Sequence, residues 1–243
     1  VQSHEAPLLM DRMSSTLGYD GFKLMDMVIE AVPENMDLKK TVFKDLEAAV
    51  SNDTILATNT SSLSIEEMAS VLKKPKRFLG VHFFSPVNKM PLVEIIPSKH
   101  TSEAVIAAVC KMVVKNKKFP IIVKDCPGFL INRILLPYIN EAIHLVCQGF
   151  KISDIDAIAT KFGMPIGPLA LADEVGLDVG YKVMQILNKG YGDRIKVPDL
   201  FEKVVDKGDM LGKKSGKGFY IYKDGNTNMN HELYRDHSIV IKH

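Results

Sequence analysis

Between residues 25 and 124 the chain alternates short apolar runs, rich in β-branched residues, with longer amphipathic stretches, and this alternation stops at residue 125. Runs 25–32, 54–58, 77–84, 92–96 and 120–124 have the length and composition of buried strands. Stretches 36–50, 64–72 and 101–114 read as helices. In the first, Met36, Leu38, Val42, Phe43, Leu46, Ala49 and Val50 recur three and four apart, as a helix burying one face requires. Ser64 with Glu67 forms a capping-box pattern at the start of the second. Strands alternating with helices of this size predict βαβ units, a parallel sheet and helices on both of its faces. Residues 1–23 show no clear period. After Asp125 only helical signals continue. A long segment is expected to open at Pro127, bend at Pro137 and stop at Gly149. A second opens at Ser153 with Asp156 and ends at Gly163, and further segments lie near 169–174, 178–188 and 198–206. The sequence therefore predicts an α/β unit over 1–124, an all-helical unit over 125–222 and a polar tail over 223–243.

Composition narrows the function classes. Of 243 residues, 46% are hydrophobic and 25% charged, which excludes collagen, coiled coil and wholesale disorder. The formal charge of +2 is too balanced to drive sequence-independent binding to nucleic acid. Cys110, Cys126 and Cys147 form no CxxC pair, so neither a disulfide framework nor a metal site is expected, and a reducing compartment fits. The most apolar stretch, 129–146, is broken by Asn132, Arg133, Pro137, Asn140, Glu141 and His144 and does not read as a transmembrane helix. The chain opens on Val1 without a signal-peptide pattern, and the native N-terminus is expected upstream of it.

Four stretches can carry chemistry. Glu30-Ala-Val-Pro-Glu34-Asn35 follows a strand, at the end where open α/β sheets bind ligands, or it is an ordinary loop. Asn59-Thr60-Ser61-Ser62 follows the next strand and enters the same crevice if the sheet is parallel; otherwise it is a turn feeding a helix cap. His82 and Glu94 are each the single ionisable residue of an apolar strand, and pairing them would satisfy both while building a general base. The alternative is a satisfied core histidine with Glu94 facing solvent. Asn132, early in an apolar helix at the unit boundary, either binds a ligand or makes a local helix-end hydrogen bond. The basic clusters 73–77 and 115–118 read as solvated surface, with contact to a phosphorylated ligand as the other reading.

Several motifs occur in a familiar order: Ile29-Glu-Ala-Val-Pro-Glu34-Asn35, Asn59-Thr60-Ser61-Ser62, His82-Phe-Phe-Ser-Pro86, Pro91-Leu-Val-Glu94-Ile-Ile96, Asp125-Cys-Pro-Gly-Phe-Leu-Ile-Asn132-Arg133, Pro165-Ile-Gly-Pro-Leu and Gly216-Lys-Gly-Phe-Tyr. Across about residues 24–222 the chain resembles the L-3-hydroxyacyl-CoA dehydrogenases of fatty-acid β-oxidation. The wording around Met90–Ile96 and Asp125–Pro127 is most similar to the dehydrogenase part of the multifunctional α-subunit, which also carries an enoyl-CoA hydratase. The resemblance implies a Rossmann-like sheet followed by a helical domain, NAD as cofactor and acyl-CoA as substrate. It implies His82 as the base that takes the 3-hydroxyl proton, Glu94 as its orienting partner, and Ser61 and Asn132 on the reacting oxygen and neighbouring acyl atoms. Glu34, Lys39 and Asn59 match positions on the cofactor side. It further implies self-association through the helical domain, a thiolase partner for the multifunctional branch, and a bacterial cytoplasmic or mitochondrial matrix location rather than secretion.

Two features depart from the family pattern. Ser85 stands where relatives usually carry Asn, which affects local hydrogen bonding. No GxGxxG occurs, so the sheet is read as lacking its first βαβ unit, with the phosphate loop expected upstream of Val1. Two rival readings follow: a non-catalytic assembly module that keeps the fold and its helical dimer surface, and a two-domain dehydrogenase of hydroxy acids without CoA.

Overall fold

A computed structural model describes residues 10–242. Five strands form one sheet in the order β1 (Met27–Glu30), β2 (Ile55–Thr58), β3 (Phe78–Phe83), β4 (Leu92–Pro97) and β5 (Phe119–Ile122). The helices between them are α1 (Met36–Ala49), α2 (Ile65–Ala69) and α3 (Glu103–Lys115). Each starts on a side-chain cap: Asn35 accepts from Leu38 N–H, Ser64 from Glu67 N–H and Ser102 from Val105 N–H. The strand residues alternate between two cores. Leu56, Phe78 and Ile96 pack with Phe43, Leu46, Ile65 and Met68 of α1 and α2. On the other face, Ala57, Leu79, Val81, Val93 and Ile95 pack with Val109 and Val113 of α3. Helices therefore cover both faces, as the alternation predicted.

The wholly parallel sheet is corrected. β1, β2 and β3 are parallel, and β4 is parallel to β5, but β4 runs antiparallel to β3. The connection 84–91 contains no helix and is too short for a parallel crossover, so the chain must turn back. The turn sets His82 directly opposite Glu94 in the antiparallel register.

The second unit contains α4 (Ile131–Cys147), α5 (Ile152–Phe162), α6 (Pro168–Val175), α7 (Leu177–Tyr191), α8 (Asp199–Asp206), the hairpin β6 (Tyr220–Lys223) and β7 (Asn226–Met229), and α9 (Glu232–Asp236). Three expectations fail here. The long helix does not open at Pro127: residues 127–130 form a tight turn with Gly128 and Phe129 at positive φ, and α4 begins at Ile131. The unit is not all-helical, because the 220–229 hairpin belongs to it. The expected polar tail over 223–243 does not hold for its described residues, 223–242. Leu233 and Tyr234 are buried in the helical core, and the Tyr234 hydroxyl accepts from Ile152 N–H and donates to Phe150 C=O. The segment looks polar because just a few of its side chains face inward.

Asp156 does not open its own helix; α5 begins at Ile152, and the Asp156 side chain reaches the next helix instead. Its carboxylate accepts from Leu169 N–H and Ala170 N–H at the start of α6 and from the Tyr220 hydroxyl, all at 2.9 Å. Asp173 clamps the hairpin in the same way, accepting from Phe219 N–H, Tyr220 N–H and the Tyr222 hydroxyl. Burial pushes the Asp173 carboxyl up to about 6 although these three donors pull it down. Folded Asp173 thus holds its proton more tightly than an unfolded aspartate. Its contribution to stability grows as pH falls from above 6 and is lost as pH rises through about 6. A carbon-13 titration of this carboxyl should show a midpoint about 6. A midpoint in the ordinary aspartate range, about 4, would mean that the donors offset burial.

Candidate active site

The residues proposed from sequence converge where β1, β2 and β3 end and the second unit begins. Glu94 is fully buried, and its Oε2 lies 2.8 Å from His82 Nδ1. This excludes the reading in which Glu94 faces solvent. Its other oxygen accepts from Leu130 N–H and Ile131 N–H, both at 3.0 Å, at the N-terminus of α4. A carboxylate in this place satisfies two otherwise free helix N–H groups and meets the positive end of the helix dipole. The same side chain orients the histidine. Because the carboxylate only accepts, His82 carries its proton on Nδ1, and Nε2 keeps a free lone pair with no protein partner among the described residues. The ring is packed between Phe84 and Phe129, with centroids 4.5 and 6.0 Å away.

Asn132, in the first turn of α4, donates from Nδ2 to Ser61 C=O at 3.0 Å. That is neither the local helix-end bond nor a vacant side chain; it ties the helical unit to the loop after β2. Glu34, in the loop after β1, closes on the same loop. Its Oε1 accepts from the Thr60 hydroxyl (2.5 Å), Ser61 N–H (3.0 Å) and the Ser61 and Ser62 hydroxyls (both 3.3 Å). Burial raises the Glu34 carboxyl, but the Thr60 hydroxyl, the Lys39 charge and the Ser61 donors outweigh it and hold it below the usual glutamate value. Asn59 accepts from Phe83 N–H at 2.9 Å and joins the β2 loop to the end of β3.

Lys39, matched by resemblance to the cofactor side, sits behind Glu34 in this structure. Its side chain is 1% exposed, and its ammonium meets Glu30 Oε1 at 2.8 Å, Val32 C=O at 3.1 Å and Glu34 Oε2 at 3.5 Å. Two of its donors are hydrogen-bonded, and the ammonium also faces the Glu34 carboxylate at ion-pair distance. Glu30, not singled out as a partner from sequence, completes this buried pair and also accepts from Val32 N–H and the Thr58 hydroxyl. A sequence signal exists: Lys39 falls on the stripe of Phe43 and Leu46, and these three are the buried residues of α1. Sequence reasoning also misses Asp125. It accepts from the Ser64 hydroxyl and Glu66 N–H, anchoring the start of the second unit to α2.

All seven proposed positions thus belong to one locality. His82, Glu94, the α4 N-terminus, Asn132, Ser61, Glu34 and Lys39 form a continuous set of polar contacts, with Asn59 beside it.

Residues 1–126 match the family description "3-hydroxyacyl-CoA dehydrogenase, NAD binding domain", and residues 128–222 match "3-hydroxyacyl-CoA dehydrogenase, C-terminal domain". The chain belongs to the 3-hydroxyacyl-CoA dehydrogenase family. It is similar to the fatty acid oxidation complex subunit alpha of Vibrio cholerae, 50% identical over 214 residues, which covers 88% of this chain and 30% of that protein. The corresponding Vibrio campbellii subunit is 45% identical over 93% of this chain and 32% of its own length. The chain therefore spans about 30% of the length of such relatives. Among solved structures, the (S)-3-hydroxybutyryl-CoA dehydrogenase of Ralstonia eutropha superposes with a TM-score of 0.86 at 40% identity, covering 92% of this chain and 80% of that one. FadB2 of M. tuberculosis does so at 0.88 and 35% identity, with the same coverage. Among the described residues, no helix is long and apolar enough to cross a membrane, and no group of His, Cys, Asp and Glu is placed to hold a metal ion.

Proposed function

We propose that this chain supplies the proton-transfer and acyl-binding site for NAD-dependent oxidation of L-3-hydroxyacyl-CoA to 3-ketoacyl-CoA in β-oxidation. The observation that carries the reading is the His82–Glu94 pair, with a fully buried carboxylate on Nδ1 and Nε2 left free. His82 Nε2 takes the 3-hydroxyl proton, and the charge that develops on the ring is balanced by Glu94 at 2.8 Å. The Ser61 hydroxyl, giving up its 3.3 Å contact with Glu34, and the second N–H of Asn132 hold the reacting oxygen and the adjoining acyl carbonyl. NAD, when bound, supplies the acceptor for the hydride leaving C3. Glu34 and Asn59 stand on its side of the crevice. The Glu34 side chain is 31% exposed, which fits the ribose next to the nicotinamide, while Lys39 acts as a buried counter-ion.

Division at residue 125 into a nucleotide-side unit and a helical unit is supported by the two family matches, which meet between residues 126 and 128. Self-association through the helical unit is supported by Ile158 and Phe162, one turn apart on α5 and both largely exposed. A thiolase partner is supported by the likeness to oxidation-complex alpha subunits. Their bacterial origin favours a cytoplasmic location.

The test is oxidation of 3-hydroxyacyl-CoA by the full-length protein with NAD, beside the free 3-hydroxy acid. Turnover of the thioester alone supports the assignment; equal turnover of both favours a hydroxy-acid dehydrogenase, and none with either favours an assembly module. Asn132→Ala is expected to lower turnover by at least about tenfold, the scale of one lost directed hydrogen bond, with a small change in melting temperature. A large fall in melting temperature with normal turnover per folded molecule would assign Asn132 to structure alone.

A further inference from the structure

We propose that Glu34 is a positioning residue: it sets the Ser61 loop and, through Ser61, the side chain of Asn132, so that the cofactor side of the crevice and the helical unit are mechanically linked. The proposal rests on the dehydrogenase reading for its kinetic consequences, though not for its structural ones.

Ser61 is gripped from two sides. Its N–H and hydroxyl both point to Glu34 Oε1, at 3.0 and 3.3 Å, while its carbonyl accepts from Asn132 Nδ2 at 3.0 Å. One residue of a loop is thus shared between a carboxylate after β1 and an amide on the first turn of α4. Four donors converge on a single Glu34 oxygen, and the Thr60 hydroxyl at 2.5 Å makes the shortest contact. An ionised carboxylate suits such convergence, because charge-assisted bonds are stronger than neutral ones. The other oxygen, Oε2, faces the buried Lys39 ammonium at 3.5 Å, and Lys39 is itself held by Glu30 and Val32 C=O. Glu34 is therefore backed by a fixed cation on one side and caps a loop on the other.

An amide cannot fill this place. In Glu34→Gln the single carbonyl oxygen can serve either the loop donors or the Lys39 ammonium, and the NH₂ group then confronts donors on the remaining side. Loosening the 60–62 loop moves the Ser61 carbonyl, and Asn132 loses its fixed acceptor. A role confined to cofactor contact predicts something else: weaker binding of the dinucleotide, with Asn132 unaffected.

Two measurements decide. In this 243-residue chain, NMR of the Asn132 side-chain amide reads the link without reference to activity. Glu34→Gln should shift those resonances and speed their exchange with solvent by about tenfold, as expected of an opened hydrogen bond. Unchanged exchange overturns the proposal whether or not the protein is a dehydrogenase. Thr60→Val, which removes the 2.5 Å contact and leaves the carboxylate in place, should produce the same change in smaller measure if Glu34→Gln folds poorly; no change in that folded variant overturns the proposal too. In the full-length protein, Glu34→Gln should lower kcat by about tenfold in the wild-type background but by less than about threefold in Asn132→Ala, the non-additivity of two residues acting as one unit. NADH affinity falls as well, because Glu34 also stands on the cofactor side, so the non-additivity with Asn132→Ala and not the dissociation constant decides. Full multiplication of the two effects, or a loss confined to NADH affinity, overturns the proposal. Absence of turnover in the wild-type protein would instead count against the dehydrogenase reading, and amide exchange alone would then decide the role of Glu34.

Discussion

Oxidation of 3-hydroxyacyl-CoA by the full-length protein is expected to fall by about 10²–10⁴-fold in Glu94→Gln, the range of general acid–base assistance, while NADH affinity stays nearly constant. The shape of the side chain is kept, and its Oε1 can still accept from Leu130 and Ile131 N–H, so α4 keeps its capped N-terminus. What changes is the partner of His82. A carboxylate at 2.8 Å accepts a proton from Nδ1; the NH₂ of glutamine in the same place donates one, which forces the ring proton onto Nε2. The atom meant to receive the hydroxyl proton then already carries one. The negative charge that would balance the imidazolium is gone as well. Loss of orienting charge at other histidine bases has an effect of this size for the same reason. Steady-state kinetics with a melting curve as control tests the pair: near-normal turnover in a folded Glu94→Gln protein would show that His82 and Glu94 meet for structural reasons only.

Gly218→Ala is expected to destabilise the second unit by about 3 kcal/mol or more, the scale of forced overpacking against a fixed core. In a chain of this size that lowers the melting temperature by about 6–12 °C. A Cβ at Gly218 would lie 2.0 Å from Asp173 Oδ1 and 2.8 Å from Gly212 Cα. The carboxylate cannot swing away, because Phe219 N–H, Tyr220 N–H and the Tyr222 hydroxyl hold it. Gly167 stands in the same relation to Asp156, whose Cγ would be 2.2 Å from an added Cβ. These two glycines give a physical reason for the Pro165-Ile-Gly-Pro-Leu and Gly216-Lys-Gly-Phe-Tyr motifs: each lets a backbone segment approach a buried aspartate closely enough to be clamped by it. Gly18→Ala is the control, since an added Cβ there meets nothing within 4 Å. Equal melting temperatures for Gly218→Ala and Gly18→Ala would show that the Asp173 clamp yields.

The candidate site is unevenly visible from sequence. His82 and Glu94 stand out because an ionisable residue inside an apolar strand needs a partner, and each is the other's best candidate. Glu34 and Ser61 fall at the right end of the sheet, but their contact is not foreseeable, since both lie in loops whose paths no periodicity describes. Lys39 carries a readable signal, its position on the buried stripe of α1, but nothing local names Glu30 as its partner. Asp156 reads as a helix-start residue and Asp125 only as the point where the pattern changes, and both serve another element through their carboxylates.

Local pattern is sufficient for the type and order of the elements over residues 25–206, because alternation and helical spacing are imposed by which face of each element must leave water. It also suffices for the capping role of Ser64, which involves residues three apart. The direction of β4, the folding of residues 220–236 and the partners of Asn132 and Asp173 were decided by tertiary structure alone. Asn132 meets a carbonyl 71 positions away and Asp173 a backbone N–H 46 positions away. A hydrogen bond of that separation leaves no trace in local composition: each polar residue announces that it must be satisfied, but the fold determines which distant group arrives to satisfy it.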